Sequence, residues 1–445
     1  MAQQTERRDE SVELLQLLIR NSCVNDGSVS SGGEKRSADL LADYLGTSGF
    51  DLQRFTPVDG RSSLLVRMEG TDPTAPTLML MGHTDVVPVS AEGWSRDPFG
   101  GELVDGFVWG RGAIDMLNET ATMAVAMKRL AARGFRPRGT LMYLAVADEE
   151  ALGTWGAEYL VEHEWDHVQA DYVITESGGN QLPTPNGIRL PIMVTEKGTY
   201  WTTLRVHGTP AHGSQPHGTD NALVTAAEVV RRIAAYQPPA QVHSTWEAFV
   251  SGFTFPPEIA DALVNPERID QALDLLPDGL ARMAHACTHS TFSPNVIHGG
   301  TKTNTIPDAV DIEVDIRTMP GEDGEVARAM LLEAIGDLAH RVDIHSHDDG
   351  PTDSPVATPL WDSLQRVTSN LIAGSALLPM MMVGGTDNRF FRRKGSVGYG
   401  FGLFSQRIPY EEYSAMFHGH NERVDVESLD LAAQLWEAVV EDFLG

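Results

Sequence analysis

Residues 77–85, TLMLMGHTD, and 140–150, TLMYLAVADEE, decide the fold. Each is an apolar run that stops abruptly in charged residues, and 170–177 (ADYVITES) repeats the pattern. Between the first two lies 118–134, NETATMAVAMKRLAARG, a predicted helix with cap-type Asn118 at its start and Gly134 just past its end. Strands alternating with helices imply βαβ units and a largely parallel sheet. Upstream, 10–20 (ESVELLQLLIR) and 33–46 (GEKRSADLLADYLG) space their leucines at helical intervals.

From about residue 197 the texture changes. GTYWTTLRVHG (198–208) alternates like a half-exposed strand, and 220–236 (DNALVTAAEVVRRIAAY) reads as a helix capped by Asp220. An irregular, Pro-containing stretch follows over 237–290. SPNVIHGG (293–300) and DAVDIEVDIRTMP (308–320) then read as antiparallel strands, and 324–347 as a helix followed by a strand. That β-α-β-β-α-β order is the ferredoxin-like pattern. Beyond about 351 helices and buried strands resume (SVGYGFG, 396–402), ending in a helix over 427–444. The fold class expected is α/β: a mostly parallel-sheet domain from 1–196 and 352–445, interrupted at 197–351 by an α+β domain.

Composition narrows the function. A chain of 445 residues is too long for one compact core and suggests two domains. Its net charge of −29 excludes nucleic acid as a partner, because phosphates would be repelled. No stretch approaches the roughly 20 apolar residues of a membrane span, and the polar start MAQQTERRDESVELL lacks the apolar core of a secretion signal. Cys23 and Cys287 are the two cysteines; they form no disulfide framework and fit a reducing, cytoplasmic setting. A metal must then be held by His and carboxylates.

Those residues fall where the fold would gather them. His83 and Asp85 follow one predicted strand, Glu149 and Glu150 end another, Glu176 ends a third, and Asp115 follows VWGRGAI. Open α/β sheets bind ligands at the carboxyl ends of parallel strands. So many carboxylates cannot be buried together without cations, and the segments offer too few Lys or Arg to pair them. Two divalent ions, zinc or alternatively cobalt or manganese, suit oxygen and imidazole ligands without thiolate. Each residue also has an ordinary reading. A His at a strand end is commonly a hydrogen-bonded structural group, Glu-Glu a solvated loop, Asp115 a helix cap. The conjunction favours the metal pair.

The ordered motifs GHTDVVP (82–88), WGRGAIDM (109–116), ADEE (147–150), GGTDNRFF (384–391) and FHGHNERV (417–424) carry a resemblance. The chain resembles the M20 family of metallopeptidases and deacylases, which includes aminoacylases, acetylornithine deacetylase, succinyl-diaminopimelate desuccinylase and glutamate carboxypeptidases. The resemblance implies that His83 and Glu176 complete one metal site, Glu150 and His418 the other, and that Asp115 bridges the two. It makes Asp85 the group that orients His83, Glu149 the general base, and the Asp115–Met116 peptide cis. His418 is preferred to His420 because the family places its ligand five residues before the Arg, here Arg423. His345 and His347 are read as surface residues.

The resemblance also implies that 197–351 is a lid and dimerisation domain, so that the protein is a homodimer through it. In the lid segment GTPAHGSQPHGTDNAL (208–223), His212, rather than His217, would reach the partner subunit's site and stabilise the oxyanion. Asn304 and Arg317 would take the substrate carbonyl and carboxylate, with Gly385 offering backbone N–H to the same carboxylate. Met116-Leu117-Asn118 departs from the Met-Lys that many relatives have, and 237–290 matches the family poorly. Glu176, where peptidases more often have Asp, together with TDNR and H-x-H-x-E-R, points to an aminoacylase-like deacylase acting on a small N-acyl amino acid. The alternatives are a dipeptidase or carboxypeptidase on the same scaffold, or a non-catalytic metabolite-binding relative.

Overall fold

The apolar runs are the central strands of a ten-stranded sheet in the computed structural model, which describes residues 2–445. Leu78–His83 lies between Leu141–Val146 and Tyr172–Thr175, parallel to both, and Val397–Gly400 runs parallel beside Tyr172–Thr175. The first two strands are buried at every position, which is why they read as continuous rather than alternating hydrophobicity. The hairpin Asp51–Val58 and Arg61–Met68 adds antiparallel strands at one edge. Gly187–Glu196 joins antiparallel at the other side and carries Ser375–Met382 parallel to itself. The central sheet is mixed but mostly parallel.

Helices Ala2–Asn21, Leu117–Ala132 and Val426–Leu444 pack together over one face, with Leu15, Leu18, Met123, Met127, Trp436 and Val440 in the core. Leu117–Ala132 begins one residue before the predicted cap. Met116 occupies the cap position without a side-chain bond, and Asn118 is buried inside the first turn. Gly134 follows the helix at φ +72°, a left-handed conformation that glycine adopts freely.

Residues 198–349 build a second, antiparallel sheet in the order Thr291–Gly299, Ala309–Thr318, Gly198–His207, Val342–Asp349. Helices Ala222–Ala235 and Gly324–Ile335 cover one face through Val229, Ile233, Leu331 and Ile335. This is the ferredoxin-like order. Asn221, not Asp220, caps the first of these helices by accepting from Leu223 N–H; Asp220 pairs with Arg341 instead.

The stretch 237–290 is not irregular. It forms helices Ser244–Phe253, Pro257–Leu263, Ile269–Leu273 and Asp278–Ala286. Trp246, Phe249, Leu263 and Ile269 pack with Met193, Leu378, Met380 and Met381 of the main sheet rather than with the second sheet.

Candidate metal centre and active site

Three of the parallel strands, Leu78–His83, Leu141–Val146 and Tyr172–Thr175, end at one place, and each of the three delivers an acid or imidazole there. His83 is the last residue of its strand and is buried. After Leu141–Val146 the chain turns at Asp148, whose φ of +69° leads into a single 3₁₀ turn, Glu149–Ala151. Two adjacent glutamates on a strand would face opposite ways; the turn removes that restriction. Glu176 directly follows Tyr172–Thr175 and is also buried. Asp115 arrives on the loop before Leu117–Ala132, and its peptide bond to Met116 is cis.

Asp115 stands between two groups. Its Oδ1 lies 3.2 Å from His83 Nε2, and Glu176 Oε2 lies 3.8 Å from the same nitrogen. Its Oδ2 lies 3.3 Å from His418 Nε2, which is 3.3 Å from Glu150 Oε2. His83, Asp115 and Glu176, and separately Asp115, Glu150 and His418, present ligand atoms within 4.8 Å of one another. Glu149 Oε2 is 4.0 Å from His83 Nε2. His420 is elsewhere, packed against Gly93.

The electrostatics fit a cation pair. Burial pushes the Glu176 carboxyl up to about 7 against the pull of His83. Burial, reinforced by Glu176, also holds Glu149 well above the usual carboxylate range. Glu150 is raised by burial and by Asp115, and its Oε1 is buried without a hydrogen-bond partner. His418 is raised to about 10 by its hydrogen bonds with Asp115 and Glu150. Burial alone would keep His83 neutral, yet Asp115 and Glu176 lift it well above its ordinary value. Without cations the cluster thus holds protons on imidazoles and carboxyls. Two imidazoles, three carboxylates and no thiolate suit zinc-class ions.

Around this cluster lies a buried supporting layer, most of which sequence reasoning missed. His83 Nδ1 bonds the backbone carbonyl of Asp85 at 3.0 Å, whereas the Asp85 carboxylate stands 3.7 Å away. The contact between Asp85 and the imidazole is therefore made by the Asp85 main chain. Its carboxylate instead accepts from Glu149 N–H at 3.2 Å, Glu150 N–H at 3.1 Å and Asn25 Nδ2 at 2.8 Å. Asn25 also donates to Asp148, which pairs at 3.2 Å with Arg61, itself paired with Glu34. Glu422 accepts from the N–H groups of Gly112, Ile114 and Asp115 and from Arg111. Asp387 of GGTDNR is buried with neither oxygen hydrogen-bonded, 4.0 Å from Arg389, and burial pushes its carboxyl up to about 8 against the pull of that arginine.

A cleft of about 370 Å³ opens over the cluster, lined among others by Arg317, Thr199, Trp201, Gly385 and Phe417. Arg317 is held by Asp315 at 2.7 Å and Thr199 at 2.7 Å. Thr386 is fixed by Glu196 at 2.6 Å. Arg389 joins the loop after Glu149 to the second sheet by donating to the Leu152 carbonyl at 2.8 Å and pairing with Asp349. His212 and Asn304 do not line this cleft. They sit together, exposed, on a short ribbon where His212 faces Thr305 and Gly213 N–H bonds the Asn304 carbonyl at 2.8 Å. His345 and His347 are exposed on the second sheet.

Residues 79–442, which include every cleft residue named above, match the family model of Peptidase family M20/M25/M40. The chain belongs to that family. This M20 protein is 28% identical over 397 residues to the N-fatty-acyl-amino acid synthase/hydrolase PM20D1 of Xenopus tropicalis, spanning 86% of this chain and 75% of that one. It is 27% identical over 386 residues to human Aminoacylase-1, with 84% and 82% covered. Among solved structures, a metallo-carboxypeptidase of the M20 family from Sulfolobus solfataricus superposes with a TM-score of 0.76 at 17% identity, covering 98% of this chain and 99% of that one. Human carnosine dipeptidase 1 gives 0.72 at 16%, covering 100% and 98%. At that identity the likeness establishes the M20 fold. Family membership makes the protein a metal-dependent hydrolase. Among the described residues no helix is long and apolar enough to cross a membrane.

Proposed function

We propose that this M20 enzyme hydrolyses the amide bond of N-acyl amino acids. The observation that carries the reading is the presence, in one cleft, of Arg317 and of Glu149 beside the two ligand triads. Arg317 is a fixed, partly buried guanidinium whose Nε and Nη2 face Asp315 and whose Nη1 donates to Thr199, which leaves one N–H on each of Nη1 and Nη2 to take a free carboxylate. The sequence relatives named for N-acyl amino acid chemistry support the acyl compound over the dipeptide.

His83, Asp115 and Glu176 would hold one divalent ion and Asp115, Glu150 and His418 the other, with zinc first and cobalt or manganese as alternatives. Such a pair, when bound, supplies Lewis acidity, acidifying water towards a pKa of about 7 and polarising the scissile carbonyl. Glu149, whose Oε2 stands 4.0 Å from His83 Nε2, takes the proton of the attacking water and returns it to the leaving nitrogen. Arg317 and the Gly385 backbone fix the carboxylate of the amino acid. His212 and Asn304 stand outside the cleft of their own protomer, which supports a homodimer through the second sheet in which they complete the partner's site at the oxyanion and carbonyl.

The test is release of free amino acid from a panel of N-acyl amino acids and dipeptides, each also offered as its C-terminal amide. Cleavage of the acyl compounds, lost on amidation, supports the reading. Exclusive cleavage of dipeptides would replace it with a dipeptidase.

A further inference from the structure

Beyond the cleft, the structure holds a separate apolar cavity of about 500 Å³, a size typical of small-molecule sites. Phe249, Phe253, Leu280, Met283, Met380 and Tyr410 line it. Four elements meet there: the helices Ser244–Phe253 and Asp278–Ala286, the strand Ser375–Met382, and the helix Tyr410–Met416. The first pair comes from the region of the sequence that least matches the family pattern.

Two elements wall both this cavity and the cleft. On Ser375–Met382, Met380 lines the cavity and Met382 lines the cleft. The register of that strand against Gly187–Glu196 shifts between Met380 and Met381, and the two methionines, two residues apart, form an apolar flank shared between the cavity and the cleft. On the other side Ser414 lines the cavity, while Phe417 and His418, immediately beyond the same helix, line the cleft. The carboxylate grip comes from the second sheet, through Arg317 and Thr199, whereas this flank belongs to the main domain. A substrate held by its carboxylate at Arg317 thus has its acyl portion free to run along Met382 and Phe417. Methionine's flexible thioether lets such a flank adapt to an unbranched chain.

We infer that the cavity between Ser244–Phe253, Asp278–Ala286 and the Met380–Met382 flank is the acyl-chain site, selecting N-acyl amino acids with medium to long unbranched acyl groups. The inference rests on the hydrolase reading above, and names its substrate class. The charged lining residues Arg282 and Glu411 are exposed, so the cavity opens to solvent and the longest chains can extend out of it.

The experiment measures kcat/KM for N-acylglycines from acetyl to dodecanoyl, on metal-loaded wild type and on Leu280→Glu and Met283→Glu. Both positions are only partly buried, so neither change strikes the interior of a core. The expected result is a rise of about fourfold per added methylene until the cavity is filled. In both variants the dodecanoyl-to-acetyl ratio should fall at least tenfold. Free dodecanoate should also inhibit wild type more strongly than free acetate, and the variants less so. Cleavage of acetylglycine with a flat or falling chain-length profile would overturn the acyl site while leaving the hydrolase reading intact. An unchanged ratio in both variants would likewise overturn it. Absence of cleavage throughout the series would overturn both.

Discussion

The Glu422 carboxylate accepts the backbone N–H of Asp115, 307 residues earlier in the chain, at 3.2 Å. The same oxygen takes Ile114 N–H at 2.8 Å, and the other takes Arg111 at 2.7 Å. One buried carboxylate therefore sets the loop that aims Asp115 at both imidazoles. Glutamine keeps one acceptor oxygen but removes the other and the negative charge facing Arg111, so part of this buried N–H set loses its acceptor. Glu422→Gln is expected to weaken divalent-ion affinity about tenfold to a hundredfold, measured by competition with a chromophoric chelator. Affinity equal to wild type would show that the loop holds its shape without this carboxylate.

Glu149 and Glu150 are neighbours in one turn but face different tasks. Glu149→Gln should lower kcat by a factor of about 10² to 10⁴ with two ions per chain retained. Glu150→Gln, by contrast, should lose an ion, because it removes a ligand from the triad with Asp115 and His418. Metal analysis alongside turnover separates the two. Full turnover in Glu149→Gln would remove it from the chemistry.

Arg317 should act on binding. Arg317→Lys keeps the charge but loses the two-pronged geometry, and KM for N-acyl amino acids is expected to rise about tenfold to a hundredfold. For the corresponding C-terminal amides, the same change should leave kcat/KM almost unaltered. An equal loss on acid and amide would mean that Arg317 does not meet the carboxylate.

His212→Ala and Glu149→Gln, each poorly active alone, should recover activity when the two proteins are mixed and allowed to exchange subunits. Each hybrid dimer then owns one site with a native Glu149 and a native His212. No recovery after demonstrated exchange would confine His212 to its own protomer or remove it from the reaction.

The protonation of the cation-free cluster gives a pH signature. Burial lifts Glu176 and Glu422 from 4.5 to about 7. Their protonated forms therefore favour the fold, by an amount complete below about pH 4.5 and lost as pH rises through about 7. His418, raised from 6.5 to about 10 by Asp115 and Glu150, acts in the same direction at higher pH. Asp115 has the opposite sign: burial raises it, but hydrogen bonds from His418 and His83 prevail and hold it low. The gap in Tm between metal-loaded and chelator-treated protein should widen from about pH 5 to about pH 8. Differential scanning measures it directly; a gap that narrows would contradict the cluster's assignment.

The central strands and the acids at their ends were legible because a doubly covered parallel strand is an unbroken apolar run, so its end is visible as a sudden charge. His83, Glu149, Glu150 and Glu176 stand out on that ground, whereas Asp115 lies on a loop after Phe107–Trp109 and stands out through the WGRGAIDM motif. Asn25, the Arg61–Glu34 pair and Glu422 do not. Their partners lie 60, 27 and 307 residues away, and in the chain they look like ordinary solvated polar residues. The helices of 244–286 escaped for another reason. At five to ten residues each, with Pro256, Pro257 and Pro277 at their starts, they are too short to display a helical period. Asp85 shows the limit within a motif: its spacing from His83 indicated contact, but not that the main-chain carbonyl makes it.

The paired triads are expected to cleave an acyl amide only with metal bound. This is tested most directly by following free amine released from an N-acyl amino acid by chelator-stripped protein, before and after adding zinc, cobalt or manganese. The expected result is no release from the stripped protein and full release once about two ions per chain are bound. Undiminished release from protein shown to be metal-free, or two bound ions with no cleavage of any N-acyl amino acid, would contradict it.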